Sequence, residues 1–160
     1  MPQGNERFNM AIVRRLSQAN SKIPGLVSEK DGPRVLYVED NEMNFDIARS
    51  ILDTQFKIDW AASSDQAIDK LGVGNYDLVL MDIELSGSAL SGIDLTQEIR
   101  SGRFDSEERR LSELPIIIVT AYTAAYSEAE LLGLGANAML YKPMEPQLLV
   151  ERAQDLSLAT

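Results

Sequence analysis

The sequence contains no cysteine and no histidine, and these two absences remove much of the usual chemistry of protein sites. Without cysteine there is no disulfide, no thiolate zinc site and no cysteine nucleophile. Without histidine the chain has no histidine-based triad, no HExxH zinc site and no phosphohistidine of its own. Any chemistry must use carboxylates, hydroxyls, lysine or arginine, and an oxygen-ligated metal is the expected helper.

Long apolar runs are also missing, and acidic residues outnumber basic ones. No run approaches the roughly 18–20 residues that span a bilayer, and the first ten residues lack the layout of a secretory signal. We therefore expect a cytoplasmic protein with no membrane partner. The net charge of −10, from 15 basic and 25 acidic residues, repels nucleic acid, so no nucleic-acid partner is expected.

The first 33 residues differ from the rest of the chain. Phe8, Ile12 and Leu16 recur at four-residue spacing, which predicts a short amphipathic helix. Two prolines and two glycines in the stretch from Ser21 to Pro33 predict a linker. One interpretation is that the helix packs on the following domain or frays. The alternative is a segment that docks on a partner or forms a homodimer.

Short apolar runs alternate with helical patterns from Arg34 onward. Five βα units in succession predict an α/β fold, with a doubly wound parallel sheet and helices on both faces. The strands are expected at Arg34–Val38, Lys57–Ala61, Asp77–Met81, Pro115–Val119 and Ala138–Tyr141. The helices are expected at Met43–Asp53, Ser64–Leu71, Gly92–Arg100, Ala124–Leu132 and Pro146–Leu156. The charged stretch Arg103–Glu113 is expected to be an exposed, irregular extension.

Polar side chains follow four of the five predicted strands. Glu39 and Asp40 come after the first strand, and Asp82 comes after the third. Thr120 follows the fourth strand and Lys142 the fifth. Ligand sites of doubly wound sheets form at the carboxyl ends of the strands. These side chains are therefore expected to meet at one edge of the sheet, with Asp82 in the middle.

The chemistry of such a group suits phosphoryl transfer. Neighbouring carboxylates repel each other, and Mg²⁺, which prefers oxygen ligands, would relieve the repulsion. Catalysis of phosphoryl transfer is mostly positioning and charge neutralisation. Asp82 would be the nucleophile and form an acyl phosphate. Thr120 would donate a hydrogen bond to one phosphoryl oxygen, and Lys142 would pair with another.

Each of these residues also fits a simpler role when it is considered alone. Asp40 or the residue after it could cap the first helix, and Glu39 could be a solvated loop charge. Asp82 could end a strand or cap a helix, and Thr120 could bond to its own backbone. Lys142 could be an ordinary surface lysine. Their joint placement at successive strand ends favours the functional interpretation.

Four separated motifs resemble one protein family. They are VEDN at Val38–Asn41, DLVLMDIELSG at Asp77–Gly87, IIIVTAY at Ile116–Tyr122 and LYKP at Leu140–Pro143. In this order, and each on an apolar run, they resemble the receiver domain of two-component response regulators. The resemblance extends from Arg34 to about Leu156. Asn44 is similar to the residue found in receivers attached to hybrid histidine kinases.

The resemblance implies a flavodoxin-like receiver domain over residues 34–160. Its five parallel strands would have the order 2-1-3-4-5, and the Lys142–Pro143 peptide bond would be cis. The resemblance also implies the site: a phosphoacceptor, Asp82; a Mg²⁺ site from the side chains of Glu39, Asp40 and Asp82 and the backbone carbonyl of Glu84; and phosphoryl-pairing residues, Thr120 and Lys142.

The resemblance implies a signalling switch that promotes only its own phosphorylation and dephosphorylation, and not an enzyme with a separate substrate. A histidine kinase or a histidine phosphotransfer protein would be the donor. The phosphorylated form would bind an unidentified downstream protein differently. The protein would be a stand-alone receiver or a part of a longer chain.

Two segments depart from the family pattern. The family usually has an aromatic residue three positions before the lysine, where this chain has Met139. The switch residues are therefore expected to be Thr120, Met139 and the neighbouring Tyr141. In the loop after the acceptor, the family's glycine eight positions on is replaced by one ten positions on, Gly92, which predicts a loop two residues longer.

Two other functions fit parts of the pattern. A phosphohydrolase of the haloacid dehalogenase type also uses a strand-end aspartate, magnesium and a lysine. Such enzymes want a second aspartate two residues after the nucleophile, where this chain has Glu84. The other alternative is a receiver-like interaction module that phosphorylation does not control. Met139 keeps this alternative open, whereas the intact set of Glu39, Asp40, Asp82, Thr120 and Lys142 argues against it.

Overall fold

The computed structural model describes residues 32–121 and 125–159. The strands are β1 Arg34–Val38, β2 Lys57–Ala61, β3 Leu78–Asp82, β4 Ile116–Ala121 and β5 Ala138–Lys142. The α-helices among these residues are α1 Glu42–Leu52, α2 Ser64–Val73, α3 Gly92–Arg100, α4 Glu128–Gly133 and α5 Pro146–Ser157. A short 3₁₀ helix at Leu111–Glu113 precedes β4.

The five strands form one parallel sheet in the order β2-β1-β3-β4-β5, which confirms the predicted order. The strand order reverses between β1 and β3, and ligand sites of such sheets lie at that point, beyond the carboxyl ends of the strands. Asp82 is the last residue of β3, the central strand. The fold therefore puts this carboxylate at the switch point of the sheet.

The sheet is covered on both faces. Along β1, Leu36 and Val38 join one apolar cluster while Val35 and Tyr37 join the other, because side chains alternate along a strand. The first cluster includes residues of α2, α3 and α4, and the second includes residues of α1 and α5. All five residues of β3 are buried, as expected for a central parallel strand with helices on both sides.

Side-chain caps set the starts of the helices. The side chain of Asn41 accepts hydrogen bonds from the second and third backbone amides after it and so caps α1. Asp40 is therefore not the cap of this helix. In α3, Ser91 and Asp94 form a reciprocal capping box that starts the helix directly after the loop from β3.

The prediction for the fourth helix was wrong at its start. The apolar pattern predicted Ala124–Leu132, but the helix runs from Glu128 to Gly133. Ser127 and Glu130 form a capping box, and the cap residue has an extended backbone that the helix cannot pass through. The three-residue spacing of Ser127 and Glu130, which is typical of a capping box, indicated this helix start in the sequence.

The stretch Arg103–Glu113 is more ordered than the predicted irregular extension. Leu111 is buried, and the side chain of Asp105 accepts hydrogen bonds from the amide of Ser112 at 2.8 Å and from its hydroxyl at 2.6 Å. Arg109 donates to two backbone carbonyls at the end of α2. These contacts fold the stretch back on the domain, although many of its side chains are exposed.

The helix predicted around Phe8–Leu16 lies outside the described residues, and the domain boundary near residue 33 stays a prediction. The residues from Pro33 onward form one compact unit. The Lys142–Pro143 peptide bond is cis, which confirms the expectation from the resemblance. Within residues 32–121 and 125–159, no helix is both long and apolar enough to cross a membrane.

Candidate functional site

The carboxyl ends of β1, β3, β4 and β5 surround one polar cavity of about 290 Å³. All five strand-end residues singled out in the sequence line this cavity, although 103 positions separate the first and last of them. The complete lining is Glu39, Asp40, Asn41, Asn44, Asp82, Glu84, Ser86, Thr120, Ala121 and Lys142. The parallel topology thus brings distant residues into one site.

The carboxylate of Glu39 is fully buried and receives four hydrogen bonds. Its Oε1 accepts from the backbone amide of Asn41 at 3.1 Å and from the side-chain amide of Asn44 at 3.3 Å. Its Oε2 accepts from the hydroxyl of Tyr37 at 3.0 Å and from Nζ of Lys142 at 2.6 Å. These donors replace water around the charge, since an unpaired buried carboxylate is very costly.

Lys142 connects two of the acidic residues. Its Nζ lies 2.6 Å from Oε2 of Glu39 and 2.9 Å from Oδ2 of Asp82. Burial works to lower the pKa of Lys142, but the hydrogen bonds to Glu39 and Asp82 outweigh it and raise the pKa above its ordinary value. The ammonium therefore stays charged in the metal-free site.

Asp82 is buried, with 5% of its surface exposed. Burial raises the pKa of its carboxyl to about 6, against the hydrogen bond and charge of Lys142, while the charge of Glu39 adds to the rise. Its Oδ1 also accepts from the backbone amide of Glu84 at 3.3 Å. At neutral pH the group is mainly a carboxylate, which is the form that can act as a nucleophile.

Asp40 points to the loop between β3 and α3. Its Oδ2 accepts from the backbone amide of Ser86 at 3.0 Å. Burial works to raise the pKa of Asp40, but the hydrogen bonds from Ser86 outweigh it and hold the pKa below its usual value. The loop after the central strand therefore takes part in positioning an acidic residue of the first strand end.

The same loop is fastened to the start of α2. The fully buried Ser64 donates its backbone amide to the hydroxyl of Ser88 at 3.0 Å. The hydroxyl of Ser64 accepts from the amide of Leu90 at 3.2 Å. The longer loop predicted from the sequence is therefore held at several points along its length.

Gly92 ends this loop against the backbone of Asp82. Its amide donates to the carbonyl of Ile83 at 2.9 Å. A Cβ atom on Gly92 would lie 1.8 Å from the carbonyl oxygen of Asp82, so only glycine fits without displacement of the backbone. Close approach of the two backbones explains why a glycine stands at the start of α3.

The acidic residues suit a magnesium ion. One oxygen from each of Glu39, Asp40 and Asp82 lies within 4.8 Å of the others. Oxygen ligands of one octahedral Mg²⁺ lie about 3–4 Å apart, because each Mg–O bond is about 2.1 Å long. All the donors are oxygens, and Glu84 lies on the wall of the same cavity. The chemistry of the donor set therefore suits the expected ion.

Residues 35–154 match the response regulator receiver domain. The chain belongs to this receiver family. The match spans all five strands and the residues at their carboxyl ends, so membership and geometry agree. It also disfavours the alternative of a haloacid dehalogenase-type phosphohydrolase. Receiver domains are signalling domains, and an acidic pocket that binds Mg²⁺ is typical of them.

Relatives of this receiver include sensor kinases and a regulator. It is 35% identical over 117 residues to the autoinducer 2 sensor kinase/phosphatase LuxQ of Vibrio vulnificus, covering 72% of this chain and 13% of that protein. It is 32% identical to histidine kinase 5 of Arabidopsis thaliana, covering 80% and 16%. It is also 32% identical to the transcriptional regulatory protein DltR of Streptococcus agalactiae, covering 74% and 49%. The chain thus spans less than half of each of these proteins.

Solved receiver structures share the fold. The receiver domain of NtrX from Brucella abortus superposes with a TM-score of 0.69 at 24% identity, over 79% of this chain and 99% of that one. The receiver domain of the Francisella response regulator 1452 superposes with a TM-score of 0.67 at 22% identity, over 80% and 98%. The flavodoxin-like architecture is therefore that of receivers.

The three expected switch residues of this receiver lie on one face of the sheet. Thr120 is buried beside Tyr141 in the register of β4 and β5, and within residues 32–121 and 125–159 the hydrogen bond described for its hydroxyl is a long one, 3.4 Å, to the carbonyl of Ala121. Tyr141 is 43% exposed. Met139 is half-buried and packs against the apolar cluster on this face. Their role in switching stays a prediction.

Two site residues were missed in the sequence. Tyr37 looked like one more apolar residue of a buried strand, but it lies two positions before Glu39 and therefore on the same face. Trp60, at the end of β2, donates its indole N–H to the backbone carbonyl of Glu39 at 2.6 Å. The period of two along β1 could have identified Tyr37, whereas the contact of Trp60 required the strand register.

Proposed function

We propose that this receiver accepts a phosphoryl group on Asp82 from a phosphohistidine, and that phosphorylation changes its binding to other proteins. The observation that carries the proposal is the placement of Asp82 at the carboxyl edge of the central strand. Two further carboxylates have oxygens within 4.8 Å of its own, and Nζ of Lys142 is 2.9 Å away. This group of charges suits the transfer of a phosphoryl group.

The transfer itself is a simple exchange of bonds. A carboxylate oxygen of Asp82 attacks phosphorus and forms the O–P bond of an acyl phosphate. The P–N bond to the donor's imidazole breaks, and its electron pair goes to the ring nitrogen. The donor's imidazole carries a proton on its other ring nitrogen, so it leaves as neutral imidazole. The acceptor must be ionised for this attack, which a pKa of about 6 permits at neutral pH.

The surrounding residues position and neutralise the charges. Glu39, Asp40, Asp82 and the backbone carbonyl of Glu84 would hold Mg²⁺, which when bound offsets the charge of the carboxylates and of the phosphoryl oxygens. Lys142 already contacts Asp82 and would pair with a phosphoryl oxygen.

Switching is proposed to pass through the neighbouring sheet face. Among the described residues, the hydroxyl of Thr120 bonds to its neighbour's carbonyl at a long 3.4 Å, so giving up this contact to turn toward a phosphoryl oxygen costs little. Tyr141 lies beside it, and Met139 occupies the position that usually holds an aromatic residue. A movement of Thr120 would change the packing of these two side chains, which is the kind of two-state element a switch requires.

The relatives support a histidine kinase or a histidine phosphotransfer protein as the donor. Two of those described above are named as a sensor kinase and a histidine kinase. The third is named as a transcriptional regulatory protein. A downstream protein of unidentified nature completes the proposed pathway, and self-association is one form that the output could take.

Incubation with acetyl phosphate and Mg²⁺, followed by intact mass measurement, tests the acceptor. We expect a phosphoryl-sized mass gain that EDTA abolishes. Asp82→Asn should show no gain. Asp69→Asn, a matched change on the exposed side of α2, should be phosphorylated like the wild type.

Beryllofluoride provides a second measurement that does not depend on acyl phosphate lifetime. Chemical shift changes around Asp82, Thr120 and Lys142 are expected on its addition with Mg²⁺. An unchanged mass together with an absent beryllofluoride response would reject the proposal. That result would favour the interaction module that phosphorylation does not control.

A further inference from the structure

Tyr37 contributes a hydroxyl to the acidic site from inside the sheet. Its side chain is fully buried in β1, and its hydroxyl donates to Oε2 of Glu39 at 3.0 Å. The same oxygen accepts from Nζ of Lys142 at 2.6 Å. Two donors of different kinds, one neutral and one charged, thus share a single carboxylate oxygen.

The shared oxygen becomes important when Lys142 forms an ion pair with a new partner. In the proposed reaction the ammonium pairs with a phosphoryl oxygen on Asp82, and its contact with Glu39 must then loosen. The other hydrogen bonds to Glu39, from Asn41 and Asn44, are both on Oε1. Among the hydrogen bonds that the structure describes at this carboxylate, Tyr37 supplies the remaining donor to Oε2.

We propose that Tyr37 is a positioning residue that keeps Oε2 of Glu39 hydrogen-bonded while Lys142 moves to the phosphoryl group. The inference rests on the proposed function and assigns a role within that site. Glu39 has no exposed surface, so if its Oε2 lost both donors, bulk water could not supply a replacement hydrogen bond. The hydroxyl therefore lowers the cost of releasing the lysine.

The chain contains a matched control for this arrangement. The hydroxyl of Tyr76 donates to Oδ2 of Asp59 at 2.9 Å, and Arg34 donates to the same oxygen at 2.6 Å. This is again a tyrosine and a basic residue on one carboxylate oxygen, but Asp59 lies on β2 and does not line the candidate site. Tyr76→Phe therefore removes the same kind of bond elsewhere.

The test compares Tyr37→Phe with Tyr76→Phe in the full chain. Dissociation constants for beryllofluoride at saturating Mg²⁺, and for Mg²⁺ alone, are measured from the fluorescence of Trp60, the only tryptophan. We expect Tyr37→Phe to weaken beryllofluoride binding roughly tenfold, the effect of one hydrogen bond to a charged group. Tyr76→Phe should leave it within about twofold of the wild type, the usual scatter for a residue outside the site.

A double-mutant cycle separates positioning from a general loss of stability. In the Glu39→Gln background residue 39 carries no charge for the hydroxyl of Tyr37 to stabilise, so adding Tyr37→Phe should change beryllofluoride affinity by less than about twofold. A purely structural role of Tyr37 predicts equal losses in both backgrounds. Equal losses would overturn the inference.

The outcomes also distinguish this inference from the proposed function. If the wild type does not bind beryllofluoride, the proposed function is wrong. If the wild type responds and a folded Tyr37→Phe protein binds with unchanged affinity, only the role of Tyr37 fails. Should Tyr37→Phe not fold, the hydroxyl proton of Tyr37 in the wild type is followed by NMR. With beryllofluoride bound, the hydroxyl proton of Tyr37 should exchange slowly with water. An exchange rate as high as that of the hydroxyl proton of the exposed Tyr126 would refute the proposed contact.

Discussion

Replacement of Asp82 by asparagine should stabilise the metal-free protein at neutral pH. The folded protein raises the pKa of this carboxyl from 3.8 to about 6, mainly because the group is buried. Well below pH 3.8 the group is protonated in both the folded and the unfolded chain, so it costs nothing. As the pH rises through 6, the folded protein has to ionise a carboxyl that the unfolded chain ionises more easily, and stability is lost.

The size of the effect follows from the pKa difference. Each pKa unit corresponds to about 1.4 kcal/mol, so the ionised group costs on the order of 3 kcal/mol at pH 7 and roughly half of that at pH 5. Asparagine keeps an oxygen that can accept from Lys142 but carries no charge. We therefore expect Asp82→Asn to raise the free energy of unfolding by roughly 1–3 kcal/mol at pH 7, and by less at pH 5.

Urea unfolding in EDTA, followed by the fluorescence of Trp60, measures this difference directly. The midpoint should rise in Asp82→Asn while the slope of the transition stays the same. Asp69→Asn, on the exposed side of α2, should unfold like the wild type at both pH values. A variant that is no more stable than the wild type at pH 7, or that gains equally at pH 5, contradicts this account of the buried charge.

Magnesium should narrow the difference in stability between the wild type and Asp82→Asn. An ion at one hundred times its dissociation constant adds about 2.7 kcal/mol to the folded state. The wild type should gain this from Mg²⁺, whereas Asp82→Asn, with one charged ligand fewer, should gain less. The midpoints of the two proteins should therefore approach each other during a magnesium titration. Parallel shifts of both midpoints would mean that Asp82 does not contribute to the metal site.

Two further predictions concern Gly92 and Arg100, which lie at the two ends of α3. Gly92→Ala should destabilise the fold by about 2 kcal/mol or more, because the added methyl group would overlap the carbonyl oxygen of Asp82. Gly72→Ala in α2 adds a methyl group in open space and should stabilise the fold by about 0.5–1 kcal/mol. Thermal unfolding of both variants measures the two changes. Arg100→Met should cost roughly 1–3 kcal/mol in urea unfolding, because the guanidinium joins α3 to the 3₁₀ helix and to the loop before β5 through three hydrogen bonds. The exposed Arg103→Met should stay within about 0.5 kcal/mol of the wild type.

Much of the fold could be read from the sequence because it depends on local patterns. The bounds of β1, β2 and α3 agree with those predicted, since each has an apolar run or stripe with clear boundaries. The strand order was supplied by the resemblance to receivers, because periodicity alone does not say which strands are neighbours. The set of strand-end residues followed from the general position of sites in parallel sheets.

The remaining features depend on contacts between distant segments. Ser64 is an ordinary first-turn serine in the sequence, and only the folded chain shows that it holds the loop after β3. Leu111 lies in a highly charged stretch, so composition predicted exposure where Leu111 is in fact buried and Phe104 packs against the same apolar cluster. Gly92 was noted as displaced in the sequence, but its close approach to Asp82 is a property of the packed backbones.

The energetics of the site connect its stability with its proposed role. One lysine is shared between two carboxylates, so the metal-free pocket contains more negative charge than its own cation can offset. The protein holds this excess with neutral donors, of which Tyr37 is the most deeply buried. A site kept in this condition gains from any ligand that adds positive charge, and it can release its lysine when a phosphoryl group arrives. The uncompensated negative charge that destabilises the metal-free protein is therefore also what makes the pocket bind a cation and a phosphoryl group together.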